Sequence, residues 1–369
     1  MERYAQVLDA LVAKTWRNLD RLDAFPHTTR DGVWRTSAHG RWTAGHWVGI
    51  IWLAYLWSGD AALRDAASAW AERLAPRQRD TTTHDMGFLF YPSFVRGYRI
   101  TGEPAFRDAA LTAARSLTTR FHDTGGYIQA WDEAEDPIHA GRTIVDTVMN
   151  LPLLLWASEE TGDPRFREIA LRVADTTARH HVRADGSTYH VVDFDPKSGQ
   201  SIRYTTHQGL HDDSFWTRGQ AWAIYGFAAV SRMAARQDLR HVADQLADFF
   251  VARLEPDHPP PWDFAASGSD EPRDAAAGAI AADGLLDLAM SARDPQERAR
   301  RTVEARRLLD VLIATCFDAE DSRGQGLLLH ATADRPRNSA VDESLIYGDH
   351  YFFEALFRAT KPASIEPYL

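Results

Sequence analysis

Three turns in this chain are versions of one another: "SGDAALRDAA" from Ser58, "TGEPAFRDAA" from Thr101 and "TGDPRFREIA" from Thr161. Each closes one helical pattern with Gly and opens the next with an acidic residue, usually followed by Pro. The repeated unit is a helical hairpin. Its spacing, 43 and then 60 residues, leaves room for loops of variable length between hairpins.

Extending the pattern outward gives six units. Their first helices are predicted at 43–57, 86–100, 147–160, 214–233, 275–291 and 343–359, rich in Gly, Ala and aromatics with few charges. Their partners, at 61–75, 104–121, 164–181, 238–254 and 295–316, carry Arg, Asp and Glu at helical spacing. The sixth partner is missing at the C-terminus, but residues 2–20 supply an amphipathic helix. Apolar helices inside amphipathic ones predict an all-α (α/α)6 toroid closed by the N-terminal helix, with an open superhelix as the rival. No linker divides the chain, so residues 1–369 read as a single (α/α)6-barrel domain. Residues 254–278 are expected to form a long loop, and 183–204 a small strand–turn–strand excursion.

A charge of −11 argues against nucleic acid as the main partner, and no stretch is long and apolar enough to span a bilayer. The lone Cys316 excludes an internal disulfide and a thiolate cluster. The N-terminal segment lacks the pattern of a secretory signal, so a cytoplasmic location is expected. Twelve Trp, eleven Tyr and fifteen His, several clustered in loops, favour a ligand-facing surface, although aromatics more often build core.

In such a ring the loops entering the inner helices meet at one mouth. They read "RWTAGHWVG", "THDMGFLFYP", "GRTIVDTVMN", "HDDSFWTRGQAW", "EPRDAAAG" and "VDESLIYGDHY". Asp212, Asp213, Asp274 and Asp342 have a plain explanation as helix N-caps. Asp85 and Asp146 precede apolar runs, where an unpaired carboxylate is costly to bury. Two carboxyl groups at one mouth can divide acid and base roles. Arg218, between Trp216 and Trp222, could hold a carboxylate bidentately or pair with Asp212 or Asp213. His84, His190, His207 and His211 match no standard metal spacing, so no metal is expected and sugar hydrogen bonding or packing is preferred.

These same stretches resemble the unsaturated glucuronyl hydrolases, glycoside hydrolase family 88. The likeness runs through "HDMGFLFYPSF", "TIVDTVMNLPLLLWA", "YHVVDFDPKSG", "HQGLHDDSFWTRGQAWAIYGF", "RDAAAGAIAADGLLDLA" and "DESLIYGDHYFFEAL". The resemblance implies an (α/α)6 barrel that removes a C4–C5 unsaturated glucuronic acid from the non-reducing end of lyase-generated oligosaccharides, glycosaminoglycan or bacterial polysaccharide fragments. The chemistry is hydration of that double bond, without a cofactor. The resemblance places the acid/base at Asp146 and a second essential carboxylate at Asp85. It matches His190, Gln208, Arg218 and Trp222 to residues that hold the uronate, and Trp42 and Trp131 to aromatic walls. With His84, Trp216, Arg335 and Arg337, these form the expected substrate-binding set. Ala275 and Ala276 stand where small hydroxyl residues are common, and His46 replaces a frequent aromatic. In "ADRPRNSAVDES", where members accepting sulfated disaccharides carry Ser and Lys, this chain offers Arg335, Arg337, Asn338 and Ser339. The two arginines could hold a sulfate or stand solvated.

Three other activities compete. They are an unsaturated rhamnogalacturonyl hydrolase acting on pectin fragments, a sugar epimerase or isomerase using a His pair, and a non-catalytic sugar-binding protein. The expected partner is a small-molecule unsaturated uronyl oligosaccharide, with no nucleic acid or membrane, and the protein is expected to be a monomer or weak homodimer.

Overall fold

A computed structural model describes residues 2–132, 136–268, 270–321 and 324–369. The repeated turns fold as the sequence dictates. Gly59, Gly102 and Gly162 each end an inner helix in the left-handed region, at φ of 74°, 71° and 73°, where any other L residue is strained. Asp60 and Asp163 then cap the outgoing helices by accepting the N–H of Ala62 and of Arg165.

Among the described residues, the inner ring runs through Ala44–Ser58, the broken helix over 86–101, Leu151–Thr161, Thr217–Ala234, Ala275–Ser291 and Ile346–Thr360. Each packs against the next, and Ile346–Thr360 packs back on Ala44–Ser58. That last contact closes the circle and decides for the toroid over the open superhelix. The outer helices are Ala61–Leu74, Pro104–Thr118, Pro164–His181, Gln237–Val251 and Pro295–Thr315. Glu2–Arg21 is the sixth, seated against both the first and the last inner helix. Among the described residues no helix is long and apolar enough to cross a membrane.

Because every hairpin turn is short at one end, all inner helices run in one sense and their N-termini share the mouth. At the opposite end the axis is filled by ions. Arg358 lies within ion-pair distance of Asp283 (2.8 Å), Glu354 (3.3 Å) and Asp287 (3.4 Å). Arg96 pairs with Glu354, and Arg232 with Asp287.

Several boundaries differ from expectation, each for a local reason. The second inner helix is α over Met86–Phe90, π-helical over Tyr91–Val95 and α again over Arg96–Thr101. Pro92 has no N–H to give to an α ladder. The third opens with a 3-10 segment, Val145–Asn150, ahead of the α-helix. The fourth and sixth begin at Thr217 and Ile346, about three residues late, because Trp216 bridges Asp263 and Leu345 bridges Thr28. The expected excursion contains strands Val191–Phe194 and Ser201–Thr205, and Arg142–Ile144 joins them as a third antiparallel strand. An unforeseen hairpin, Phe25–Arg30 with Val33–Ser37, stands beside the mouth. The expected long loop ends at Asp274, because 275–278 form the first turn of the Ala275–Ser291 helix that Asp274 caps; Ser269 lies outside the described residues.

A Cβ at Gly162 would meet nothing within 4 Å, so Gly162→Ala tests the backbone alone. The left-handed conformation should cost about 1–2 kcal/mol. A lower midpoint in urea with unchanged slope, and unaltered activity at 25 °C, is the expected result.

Candidate active site

The third strand positions the acid. Thr143 pairs with Val192 and Ile144 with Val191, and the N–H of Val145 donates to the carbonyl of His190 (2.9 Å). The chain then turns into the 3-10 segment, setting Asp146 beside His190. Asp146 is only 7% exposed, caps no helix, and its Oδ2 has no hydrogen-bond partner. Desolvation raises its pKa to about 7; a hydrogen bond from its own backbone N–H and then the charge of Arg218 oppose the rise, and Asp85 adds to it.

His190 Nδ1 accepts the backbone N–H groups of His207 (3.2 Å) and Gln208 (3.3 Å). Burial holds the imidazole well below its ordinary pKa, so the ring is neutral and its hydrogen sits on Nε2. That Nε2–H has no acceptor and stands 3.8 Å from Asp146 Oδ2, a gap an oxygen atom could bridge. Trp216 stacks on the ring at 4.1 Å and fixes its plane.

Asp85 begins the Met86–Phe90 helix but does not cap it with its side chain. Its Oδ2 accepts the Thr83 hydroxyl (2.6 Å), while Oδ1 faces His84 Nε2 at 3.3 Å. His84 Nδ1 in turn meets the Thr147 hydroxyl (3.1 Å), one residue beyond Asp146. The two entry segments can approach because residue 87 is glycine. A Cβ there would lie 2.3 Å from the Asn150 Cα, and Asn150 Oδ1 accepts the N–H of Phe88 (3.1 Å). Both carboxyl groups therefore line one mouth.

Arg218 is buried and pairs with Asp274, neither with Asp212 nor with Asp213; it also donates to the carbonyls of Thr332 and Ala333. Its guanidinium lies 4.8 Å from the Trp216 ring. Asp274 caps its helix through the N–H of Ala277, as expected. The capping explanation fails for Asp212, which accepts the N–H of Thr206, and for Asp342, which faces His330. Asp213 precedes the helix at Thr217 by four residues and caps nothing.

Trp42 stacks on Tyr347 (5.0 Å) and contacts Phe88 (5.3 Å). Trp222, 1% exposed, packs behind Phe88 and Tyr347, so it supports the wall and presents no face of its own. Trp131 leans on His207 (4.8 Å). Gln208 donates to the Ala333 carbonyl (2.7 Å). Arg337 reaches His207, and Arg335 lies 3.9 Å from Glu271. His211 is exposed, with its N–H on the Ser214 hydroxyl.

The buried His46 meets the rings of Phe88, Tyr347, Tyr351 and His350, so a ring still fills that place. Ala276 is small because Gly348 packs directly on it. Sequence reasoning passed over Tyr347 and Asp263. Tyr347 lies in a quoted entry loop. Asp263 accepts Leu210 N–H, the Ser214 hydroxyl and Phe215 N–H, and so shapes the 206–216 loop. Nothing in its local pattern, "PWDFAA", marks that role.

With this geometry in place, comparison with known proteins is direct. The profile of glycosyl hydrolase family 88 matches residues 17–251. The chain belongs to this family. It is 37% identical to the unsaturated glucuronyl hydrolase of Bacillus sp. (strain GL1), over 96% of each chain. It is 36% identical to the unsaturated chondroitin disaccharide hydrolase of Streptococcus pyogenes serotype M1, over 98% of this chain and 92% of that one. The crystal structure of the Bacillus sp. GL1 enzyme superposes with a TM-score of 0.93 at 36% identity, covering 98% of both chains. A mutant of the Streptococcus agalactiae enzyme complexed with dGlcA-GalNAc6S superposes with a TM-score of 0.83 at 29% identity, covering 97% of this chain and 92% of that one.

A glycosidase of this family thus presents a half-ionised carboxyl at neutral pH beside a neutral imidazole donor. Raising the Asp146 pKa has a cost in stability. The folded protein binds this proton up to about pH 7 while the unfolded chain releases it near 3.8, so its contribution is full below about pH 4 and is lost as pH rises through 7. Asp146→Asn should match wild type in melting temperature at pH 4 and exceed it by roughly 5 °C at pH 8. Asp349, also raised to about 7, is common to both proteins and cancels. Equal melting temperatures at pH 8 would show that Asp146 ionises without penalty.

Proposed function

We propose that this protein hydrolyses unsaturated glucuronyl oligosaccharides, the fragments left by polysaccharide lyases, by hydrating the C4–C5 double bond of the terminal uronate. The observation that carries this is Asp146. It is buried, uncapped and unpaired at Oδ2, and poised to hold a proton near neutrality. The names of the relatives agree in substrate class: unsaturated glucuronyl and unsaturated chondroitin disaccharide hydrolases.

In this mechanism Asp146 donates its proton to C4. Positive charge then develops at C5 and is shared with the ring oxygen. Water adds at C5, and the Asp146 carboxylate removes its proton, restoring the acid. The hemiketal opens by breaking the bond between C5 and the ring oxygen, leaving a C5 ketone and a hemiacetal at C1. That hemiacetal collapses to an aldehyde and frees the next sugar as its alcohol. No bond at C1 is attacked, so the separation of the carboxyl groups does not set a retaining or inverting outcome. Asp85 accepts sugar hydroxyls and orients the ring. His190 offers its unpaired Nε2–H to a uronate or water oxygen facing Asp146. Gln208 completes the uronate pocket, with Trp42 and Trp131 as its walls; His84, engaged by Asp85 and Thr147, and Trp216, stacked on His190, are buried and act from behind. Arg218 acts from behind through its charge, since both of its terminal nitrogens are engaged. Trp222 acts only through Phe88 and Tyr347.

The closed ring, in which the two ends of the chain pack together, supports taking 1–369 as one catalytic domain. The proposal places that domain in the cytoplasm. An epimerase mechanism would need two imidazoles that exchange protons. Here burial lowers His190 and His207 alike, and their rings stand 6.3 Å apart at 79°.

Loss of ultraviolet absorbance on unsaturated disaccharides from chondroitin, hyaluronan, heparin, xanthan and pectin tests the proposal. Decay is expected on a glucuronyl member, unaffected by chelator. Because free Asp146 must be protonated, kcat/KM should fall about tenfold per pH unit above 7. Decay only on the pectin product would move the assignment to a rhamnogalacturonyl hydrolase. Asp146→Asn should abolish turnover, by at least ~1000-fold, while substrate still protects the protein in a thermal shift. Persistent turnover would remove Asp146 from the chemistry.

A further inference from the structure

Arg337 stands at the tip of a hairpin loop, bridged between Ala331 and Glu343 and again between Asp334 and Ser339. From that tip it crosses the mouth to the 206–216 loop. Its Nη1 donates to the His207 carbonyl (2.6 Å) and to Asp334 (2.9 Å), and its Nη2 lies 3.0 Å from His207 Nδ1. A guanidinium nitrogen only donates, so this contact makes His207 Nδ1 the acceptor. The His207 ring rests on Trp131, and the His207 N–H is one of the two that fix the tautomer of His190. A continuous path therefore runs from Arg337 through His207 to His190 and ends 3.8 Å from Asp146 Oδ2.

We propose that Arg337 is a positioning residue: a latch across the mouth that sets the Trp131–His207 wall and, through His207, the His190 donor. Its charge is spent on Asp334 and His207, so it does not receive an anionic substituent on the second sugar. This rests on the function proposed above and adds a specificity to it. The rim selects a second sugar by the fit of the Trp131–His207 wall, and a sulfate there gains nothing from Arg337. Arg335, whose side chain is 42% exposed and lies 3.9 Å from Glu271, is untouched in both variants below, so any hold it has on a sulfate is common to all three proteins.

Replacing Arg337 by Ala and by Lys separates latch from anion receptor. Lysine keeps the charge but cannot span a carbonyl and a ring nitrogen with one rigid fork. Each protein would be assayed on an unsaturated glucuronyl disaccharide and on its counterpart sulfated on the second sugar. Arg337→Ala and Arg337→Lys should both raise KM for the unsulfated substrate about tenfold, with the sulfated-to-unsulfated ratio of kcat/KM unchanged. Nitrogen-15 NMR of the histidines should show His190 moving from a single Nε2–H form to a tautomer mixture in both variants. Selective loss of the sulfated substrate in Arg337→Ala, rescued in Arg337→Lys, would overturn the latch in favour of a receptor. Unchanged kinetics and an unchanged His190 signal would overturn it as well. If wild type acts on neither disaccharide, the proposed function fails, and the NMR comparison still decides whether the latch exists. Arg337 is half exposed, so both variants should fold, and equal melting temperatures would verify it.

Discussion

Ring closure between Ile346–Thr360 and Ala44–Ser58 is the contact on which everything else depends, because it gathers the six inner helices, already set in one sense by the short hairpin turns, around a single axis. Parallel helices concentrate their positive N-terminal ends at the mouth and their negative C-terminal ends at the far side of the axis. The molecule answers the far side with Arg96, Arg232 and Arg358, which also neutralise Glu354 and Asp287. Asp283, raised well above its ordinary pKa by burial with Arg358 opposing, completes the plug. At the mouth the same field favours an anionic ligand, which is what a uronate is.

That architecture leaves the proposed reacting groups on the segments least like regular helix. Asp146 lies in a 3-10 turn fed by a strand, His190 lies at the start of the neighbouring strand, and Asp85 precedes a helix that becomes π-helical one turn later. Irregular backbone is costly, and here it is held by packing: Gly87 against Asn150, and Thr143 and Ile144 in register with Val192 and Val191. The strand register matters most. A slip of one residue would turn Asp146 away from His190 and separate the pair that one oxygen could contact from the side.

How much of this the sequence disclosed follows from which interactions are local. Helix hairpins are local, and Gly59, Gly102 and Gly162 with their acidic followers announce them. Asp85 and Asp146 stood out because a charge before an apolar run is anomalous at short range. What stayed hidden is long-range. Arg218 lies 56 residues from Asp274 and over a hundred from the carbonyls of Thr332 and Ala333 that it also binds, so no spacing rule could select them over Asp212. The role of Trp222 was hidden for the same reason. Its position early in an inner helix suggested a sugar face, while the burying partners, Phe88 and Tyr347, come from the second and sixth units.

The chemistry and the fold make opposed demands on Asp146, and the resolution is visible in what surrounds it. A carboxyl deep enough to hold a proton at pH 7 would, if wholly enclosed by apolar groups, remain protonated and never serve as base for the attacking water. The Asp146 backbone N–H is the first counterweight and Arg218 the second: both favour the carboxylate, and the Arg218 charge is screened by its pairing with Asp274. Asp85 pulls the other way. Burial, the hydrogen bond from its own backbone N–H, one partly neutralised cation and one carboxylate together set Asp146 near the midpoint, where the proposed mechanism asks one group both to give and to take a proton.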